Sequence, residues 1–149
     1  MAFTVLAILS TVFVTAVAGS ITFKDCGSTG ATIQSVNVNG CTAEPCHLIR
    51  GTNASLQVNF TATEDMSHPT NAIFGVIAGV QVKFPGHEDC CSNNNLVCPI
   101  KSGTVSQYKN TIFVAKSYPT ISLLVKLSVL DDSKKDFLCI IFPAIVTDS

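Results

Sequence analysis

The stretch LQVNFTAT, residues 56–63, alternates apolar and polar side chains without a break. Leu56, Val58, Phe60 and Ala62 fall on one side, and polar residues stand between them. Successive side chains of a β-strand point to opposite faces of a sheet, so this period of two predicts a strand with one buried face. The core of the fold is therefore expected on the side of the apolar set.

The same alternation recurs through most of the chain and is equally clear at residues 121–129. Turn-rich pieces containing glycine, proline, asparagine and aspartate separate the alternating runs. Seven such strands and no convincing helix predict an all-β, two-sheet antiparallel β-sandwich. The remaining runs lie near residues 21–26, 31–38, 71–84, 104–114 and 137–146.

The run at 71–84 includes all of FGVIAGVQVKFP, residues 74–85, except its final proline, and predicts one long strand. Lys83 then points outward, and Pro85 ends the strand because it has no N–H to donate. An apolar row of this kind fits a filled core or a lined cavity equally well. The predicted inner row consists of the even positions Phe74, Val76, Ala78, Val80, Val82 and Phe84.

Residues 1–19 contain no charged side chain and end in the small residues Ala16, Ala18 and Gly19. This pattern predicts a cleaved secretory signal peptide. The alternative is a membrane anchor, which needs about 20 apolar residues and usually charged flanks. After cleavage, residues 20–149 form a single domain, large enough for one apolar core.

Seven cysteines in a secreted chain of this size favour disulfides over a metal site. The sequence also contains two Asn-x-Ser/Thr sequons, at Asn53 and Asn59, which fit the same compartment. The localisation expected is extracellular, with the endosomal or lysosomal lumen as an alternative. The net charge of −1 gives no long-range attraction for phosphate, so no nucleic-acid partner is expected.

The residues that could carry chemistry are scattered. His47, His68 and His87 share no metal-ligand spacing, and no paired carboxylates fall on one strand face. Ser106 and Lys109 match Ser-x-x-Lys, but alternation places them on opposite faces of a strand. We therefore expect no enzyme, no metal and no cofactor.

Six short motifs follow one another along the chain: FKDCGS (23–28), VNVNGCTAEPC (36–46), GVQVKFP (79–85), CPI (98–100), SYPT (117–120) and Cys139 followed by Phe142-Pro143. In their order and cysteine spacing they resemble the Niemann-Pick type C2 proteins of the ML lipid-recognition family, which also includes the group 2 mite allergens. The resemblance covers essentially the whole of the predicted mature chain.

This resemblance implies an immunoglobulin-like sandwich whose sheets are splayed around an apolar pocket for a sterol or another lipid. It also implies disulfides Cys26–Cys139 and Cys41–Cys46 and a third bridge ending at Cys98, for which Cys91 has the family's spacing. Three possibilities remain for the odd thiol. Cys90 is an inert free thiol, or it forms a covalent dimer, or it takes the bridge and leaves Cys91 free.

The resemblance places the family's pocket positions on the VKFP and VAKSYP stretches and on the strands beside them. These residues are bulky, uncharged and partly aromatic, as a lipid slot requires. Ordinary core packing is the alternative for each. The expected ligand-binding residues are Val82, Phe84, Tyr108, Ile112, Val114, Tyr118, Ile140 and Phe142.

The resemblance implies a monomeric carrier that binds a sterol, fatty acid or other hydrophobic molecule. Such a carrier exchanges its ligand by transient contact with membranes or with a lipid-accepting receptor. Two alternatives are a lipid-recognition module of innate immunity and a carrier of semiochemicals in arthropod chemical communication. A structural protein with no ligand is a further possibility and predicts a filled core.

Overall fold

The structure is a computed structural model that describes residues 20–41 and 44–148. The predicted signal peptide, residues 1–19, lies outside these residues. The described part contains no helix long and apolar enough to cross a membrane. Its elements are β1 (Lys24–Asp25), β2 (Ala31–Val38), β3 (Cys46–Ile49), β4 (Asn53–Ala62), β5 (Thr70–Ile77), β6 (Val80–Lys83), α1 (Cys90–Asn93), β7 (Val105–Phe113), β8 (Ser122–Leu130) and β9 (Asp136–Thr147).

The strands form two sheets that pack face to face. The larger sheet has the order β1-β9-β8-β5-β6, with β3 also paired to β9, and the smaller has the order β2-β4-β7. All these pairs are antiparallel except β3 with β9, which is parallel. The predicted all-β, two-sheet sandwich is confirmed.

The core lies where the inner faces of the two sheets meet. In β4 the predicted inner residues Leu56, Val58, Phe60 and Ala62 are all at most 2% exposed. Phe60 meets Phe137 of the larger sheet edge to face, with ring centroids 6.0 Å apart. Contacts of this kind hold the two sheets together in the core.

The run 71–84 is a hairpin rather than the single strand that was predicted. β5 ends at Ile77, and β6 begins at Val80 after a turn in which Ala78 and Gly79 both have positive φ, 50° and 79°. Positive φ at both central residues is typical of the tight turn that joins two antiparallel strands. The chain therefore reverses in the middle of the predicted strand.

This reversal corrects half of the predicted inner row. The hairpin pairs Gly75 with Val82, so an odd residue of β5 lies on the same face as an even residue of β6. Phe74 and Val76 consequently lie on the outer face, and Ala78 lies in the turn. Val80, Val82 and Phe84 remain on the predicted side.

Three disulfides close the described chain in the pattern that the resemblance implies. They join Cys26 to Cys139, Cys41 to Cys46, and Cys91 to Cys98. Cys90 is free and buried. The first disulfide spans 113 residues and ties the segment after β1 to β9, so it has the largest effect on the entropy of the unfolded chain.

Candidate functional site

A small apolar cavity lies between the two sheets; we call it the inner cavity. Its volume is about 20 Å³, so the sheets nearly touch at this point. Charged side chains are absent among the described residues that line it. The lining residues come from both sheets and from the segment after β7: Val38, Leu48, Ala54, Leu56, Phe84, Ile112, Val114, Tyr118, Val125, Phe142 and Val146.

A larger pocket, the outer pocket, opens to the surface beside β6. Its volume is about 330 Å³. Among the described residues that line it, Lys83 is the one charged residue. The lining consists of Gly75, Ile77, Val82, Lys83, Phe84, Pro85, Tyr118, Pro119, Ile121, Leu123 and Val146.

Phe84 and Tyr118 lie between the inner cavity and the outer pocket and line both of them. Their ring centroids are 5.7 Å apart, and the ring planes are tilted by 56°. A Cβ atom on Gly75 would lie only 3.4 Å from the Phe84 ring and 2.9 Å from Leu123 Cδ1. Because Gly75 has no side chain, the Phe84 ring can lie against β5 at this point.

The backbone holds Phe84 in place through the hairpin. Its N–H donates to the carbonyl of Ile73 at 2.8 Å and so extends the pairing of β6 with β5 by one residue. The side chain of the preceding residue is also held, because Lys83 Nζ lies 2.9 Å from Glu88 Oε1. This hydrogen bond and its charge attraction lower the pKa of the Glu88 carboxyl.

Arg50 holds the segment that carries Tyr118. Its Nη1 donates to the carbonyl oxygens of Tyr118 at 2.9 Å and Lys116 at 3.2 Å. Its Nε and Nη2 donate to the Asp148 carboxylate at 2.7 Å and 2.8 Å. The hydrogen bond from Arg50 lowers the pKa of Asp148, so this bidentate pair is intact at neutral pH. The backbone at Tyr118 is therefore fixed by these hydrogen bonds, and the Tyr118 side chain lines both cavities.

Six of the eight predicted ligand-binding residues line one or both of these cavities. Tyr108 and Ile140 do not; both are fully buried, and they lie elsewhere in the core. The Tyr108 hydroxyl accepts a hydrogen bond from Asn110 Nδ2 at 2.9 Å, and burial raises the pKa of Tyr108. The six lining residues are Val82, Phe84, Ile112, Val114, Tyr118 and Phe142.

Several lining residues were not among the predicted ligand-binding residues. Leu56 and Val125 lie on predicted inner faces, so alternation identified them as core but could not place them beside a cavity. Gly75 and Ile77 are odd positions of the predicted single strand, opposite the predicted inner row, and the hairpin turn places them on the inner face. Other lining residues outside the predicted set include Val38, Leu48 and Ala54 in the inner cavity, Pro119, Ile121 and Leu123 in the outer pocket, and Val146 in both.

The free thiol and its surroundings lie away from both cavities. Asn71 Nδ2 donates to Cys90 Sγ at 3.3 Å and to Asn94 Oδ1 at 2.6 Å. Burial raises the pKa of the Cys90 thiol to about 11. This thiol is protonated at neutral pH and shielded from reagents, which are properties of an inert cysteine.

The two sequons differ in their surroundings. Asn53 begins β4 and is exposed. Asn59 is half-buried in the same strand; its Nδ2 donates to Ser35 Oγ at 2.8 Å, and its Oδ1 accepts from Gln107 Nε2 at 3.0 Å. The Asn59 side chain thus joins both neighbouring strands of its sheet.

Comparison with known proteins agrees with this architecture. The family model described as the ML domain matches residues 20–146. The ecdysteroid-regulated 16 kDa protein of Manduca sexta is 43% identical over 125 residues, which cover 82% of this chain and 86% of that protein. The NPC intracellular cholesterol transporter 2 of Mus musculus is 34% identical over 125 residues, 84% of each chain.

A solved structure is also similar. The crystal structure of a Niemann-Pick type C2 protein from the Japanese carpenter ant superposes with a TM-score of 0.79 at 28% sequence identity. The similarity covers 85% of this chain and 100% of that chain. The family model alone spans well over half of the chain, and each of these relatives covers more than four fifths of it. This chain belongs to the ML-domain family.

Proposed function

We propose that this protein is a secreted, non-catalytic carrier that holds a sterol or another hydrophobic small molecule between its two sheets. The observation that carries the proposal is the continuous apolar lining that passes from the outer pocket, past Phe84 and Tyr118, to the inner cavity. The family membership and the cholesterol transporter among the relatives support the same function. They favour transport over innate-immune recognition or semiochemical carriage.

The size of the two cavities indicates how a ligand enters. Ligand pockets are typically about 300–1,000 Å³, and the outer pocket alone, at about 330 Å³, reaches the lower end of this range. The inner cavity, at about 20 Å³, holds no lipid as it stands. A long ligand therefore has to displace the rings of Phe84 and Tyr118 and separate the sheets behind them.

The hydrophobic effect is strong enough for such a carrier. Burying about 300–400 Å² of ligand hydrocarbon at about 25 cal/mol per Å² gives about 8–10 kcal/mol before the costs of association. By itself a free energy of this size corresponds to a Kd between about 1 μM and about 50 nM, and the costs of association make this range an upper limit on the affinity. Release into water forfeits this stabilisation, so the carrier delivers its ligand by contact with a membrane or with a lipid-accepting receptor.

The proposed action requires binding and release alone. In the part of the chain that the structure describes, no group of three or more His, Cys, Asp or Glu side chains comes together to hold a metal ion. The three disulfides are typical of an oxidising compartment, either outside the cell or in an endosomal or lysosomal lumen. We propose that the carrier acts there as a monomer.

The test measures transfer of a fluorescent sterol between donor and acceptor liposomes. A carrier binds the sterol in solution and accelerates its transfer, whereas a recognition module binds lipid without accelerating transfer. A protein with neither property contradicts the proposal. Mass spectrometry of lipids that co-purify from the native source then identifies the ligand.

Two matched variants locate the site. Val82→Asp places a charge in the lining of the outer pocket, and Val105→Asp places one on β7, away from both cavities. Both valines are already exposed, at 54% and 75%, so neither change disturbs the core. We expect Val82→Asp to lower sterol affinity and Val105→Asp to leave it unchanged; equal effects would argue against this site.

A further inference from the structure

The outer face of the larger sheet carries lysines in one straight line. The paired residues Lys83, Phe74, Lys126, Ile141 and Lys24 follow one another across β6, β5, β8, β9 and β1. Paired residues on neighbouring strands point to the same face of a sheet. Cationic and apolar side chains therefore alternate across five strands; this set is the lysine row.

The dimensions of the lysine row follow from sheet geometry. Neighbouring strands lie about 4.8 Å apart, so the row is about 19 Å long and its lysines are about 10 Å apart. Lys126 Nζ lies 5.9 Å from the centroid of the Phe74 ring, and both residues are half-buried. Ile141 is half-buried as well, so the apolar side chains expose only part of their surface between the charges.

A second row runs beside the first and is apolar. Val76, Leu124 and Pro143 are paired across β5, β8 and β9, and Leu124 is 40% exposed. Neither row contains a carboxylate. Within the described residues Lys24 and Lys126 form no ion pair, whereas Lys83 pairs with Glu88 on the loop after β6.

We propose that this face is the docking surface for a bilayer that contains anionic phospholipids. The charge complementarity is direct, because ammonium groups in a plane match phosphate and carboxylate headgroups, and the apolar row adds hydrocarbon contact at the interface. The surface is also continuous with the lipid site, because Lys83 both ends the lysine row and lines the outer pocket. This inference rests on the proposed carrier function and names the partner to which the carrier delivers.

The strength expected of this contact suits a carrier. Each lysine near an anionic membrane contributes about fivefold in binding, so three lysines contribute about 100-fold. Binding of this strength is reversible and is weakened by salt. A protein that binds no tighter can leave the membrane after exchanging its ligand.

The test is sedimentation of the full mature protein with phosphatidylcholine vesicles that contain or lack phosphatidylserine. The lysine-row variant is Lys24→Gln, Lys83→Gln and Lys126→Gln together. The matched control is Lys101→Gln, Lys109→Gln and Lys116→Gln, which changes the net charge by the same amount on other surfaces. A double variant, Lys24→Gln with Lys126→Gln, leaves the residue at the outer pocket unchanged.

We expect about a 100-fold loss of affinity for phosphatidylserine vesicles in the lysine-row variant and about a 30-fold loss in the double variant. The control should change severalfold at most. Equal losses in the lysine-row variant and the control, or equal binding to vesicles with and without phosphatidylserine, would overturn the proposal. The proposal would also be overturned if the protein bound polyglutamate through the lysine row but did not bind the vesicles.

Sterol binding in solution separates this inference from the carrier function. Normal sterol affinity in the double variant with lost vesicle binding supports both. Vesicle binding that does not depend on the lysine row, with normal sterol affinity, overturns the docking surface and leaves the carrier intact. Absence of sterol binding in the unmodified protein contradicts the carrier function itself.

Discussion

Phe84 and Tyr118 lie with their ring centroids 5.7 Å apart, and together they separate an apolar pocket of about 330 Å³ from a cavity of about 20 Å³. One ring follows the last strand of a hairpin, and the other lies on a segment held by Arg50. The two rings thus sit on independent parts of the chain. Each side chain can turn without breaking the backbone hydrogen bonds that hold it.

Replacing either ring should weaken lipid binding without unfolding the protein. Phe84→Ala and Tyr118→Ala each remove apolar contact with the ligand, and each should lower sterol affinity about tenfold. Dissociation should account for most of the loss, because the barrier between the cavities is also removed. Stopped-flow release of a fluorescent sterol measures it.

Phe113→Ala is the control for this pair. Phe113 is 57% exposed at the end of β7 and lines neither cavity, so its removal should leave affinity and release rate unchanged. Affinity that stays at the unmodified level in both Phe84→Ala and Tyr118→Ala would count against the site. Thermal unfolding of all three variants verifies that they fold.

Ile140 and Phe142 should separate core packing from ligand binding. Both lie on the inner face of β9, but Phe142 lines the inner cavity and Ile140 does not. Ile140→Ala should reduce the free energy of unfolding by about 2–5 kcal/mol, since it leaves a hole in a filled region. Its sterol affinity at a temperature where it is folded should be normal.

Phe142→Ala should also lower the free energy of unfolding, but here sterol should restore part of the loss. The substitution enlarges a cavity that the ligand can occupy, so bound sterol recovers part of the lost stability. Denaturant unfolding with and without sterol measures the loss of stability and the part that sterol restores. The same affinity change in Ile140→Ala and Phe142→Ala would contradict the distinction between them.

Alternation of side chains predicted the fold because it depends on one simple geometric rule. The rule holds along β4, where every predicted inner residue from Leu56 to Ala62 is buried. It failed at residues 74–78 because Ala78 is an ordinary apolar residue that here adopts positive φ. The dipeptide Ala-Gly carries a weaker turn signal than Asn-Gly, so the reversal was hidden inside an apolar run.

The site was predicted less completely than the fold. Tyr108 and Val114 have the same parity, yet Val114 lines the inner cavity and Tyr108 lies farther along in the filled core. Parity assigns a face and gives no position along the sandwich. Whether the sheets touch or leave a cavity beside a residue depends on the separation of strands that are distant in the sequence, such as β6 and β7 at the edges of the two sheets. A single sequence does not record that separation.

Cys90 should be unreactive in the folded protein. It is fully buried, and burial raises the pKa of its thiol from 9.0 to about 11. A thiol reagent at pH 8 should therefore label the unfolded chain quickly and the native protein only as fast as it opens. Fast labelling of the native monomer, or a dimer that reduction dissociates, would contradict the assignment of an inert thiol.

The same pKa shift predicts how stability depends on pH. Because the folded pKa is above the unfolded one, the protonated thiol contributes stability that is fully present below about pH 9 and is lost as the pH rises toward 11. Cys90→Ala removes this contribution. The unfolding free energy of the unmodified protein should therefore fall more steeply over this range than that of Cys90→Ala, and parallel curves would contradict the shift.

Glycosylation should distinguish the two sequons. Asn53 is exposed at the start of β4, whereas a glycan on Asn59 Nδ2 removes one of its two N–H groups and has to fit beside Ser35 in the middle of a sheet. We expect the protein secreted from eukaryotic cells to carry a glycan at Asn53 alone. Asn53→Gln should then abolish the mass shift produced by a peptide N-glycosidase, and Asn59→Gln should preserve it while lowering stability by about 1 kcal/mol. A folded, secreted protein with a glycan on Asn59 would show that the sheet accommodates the sugar and that the hydrogen bonds of Asn59 are dispensable.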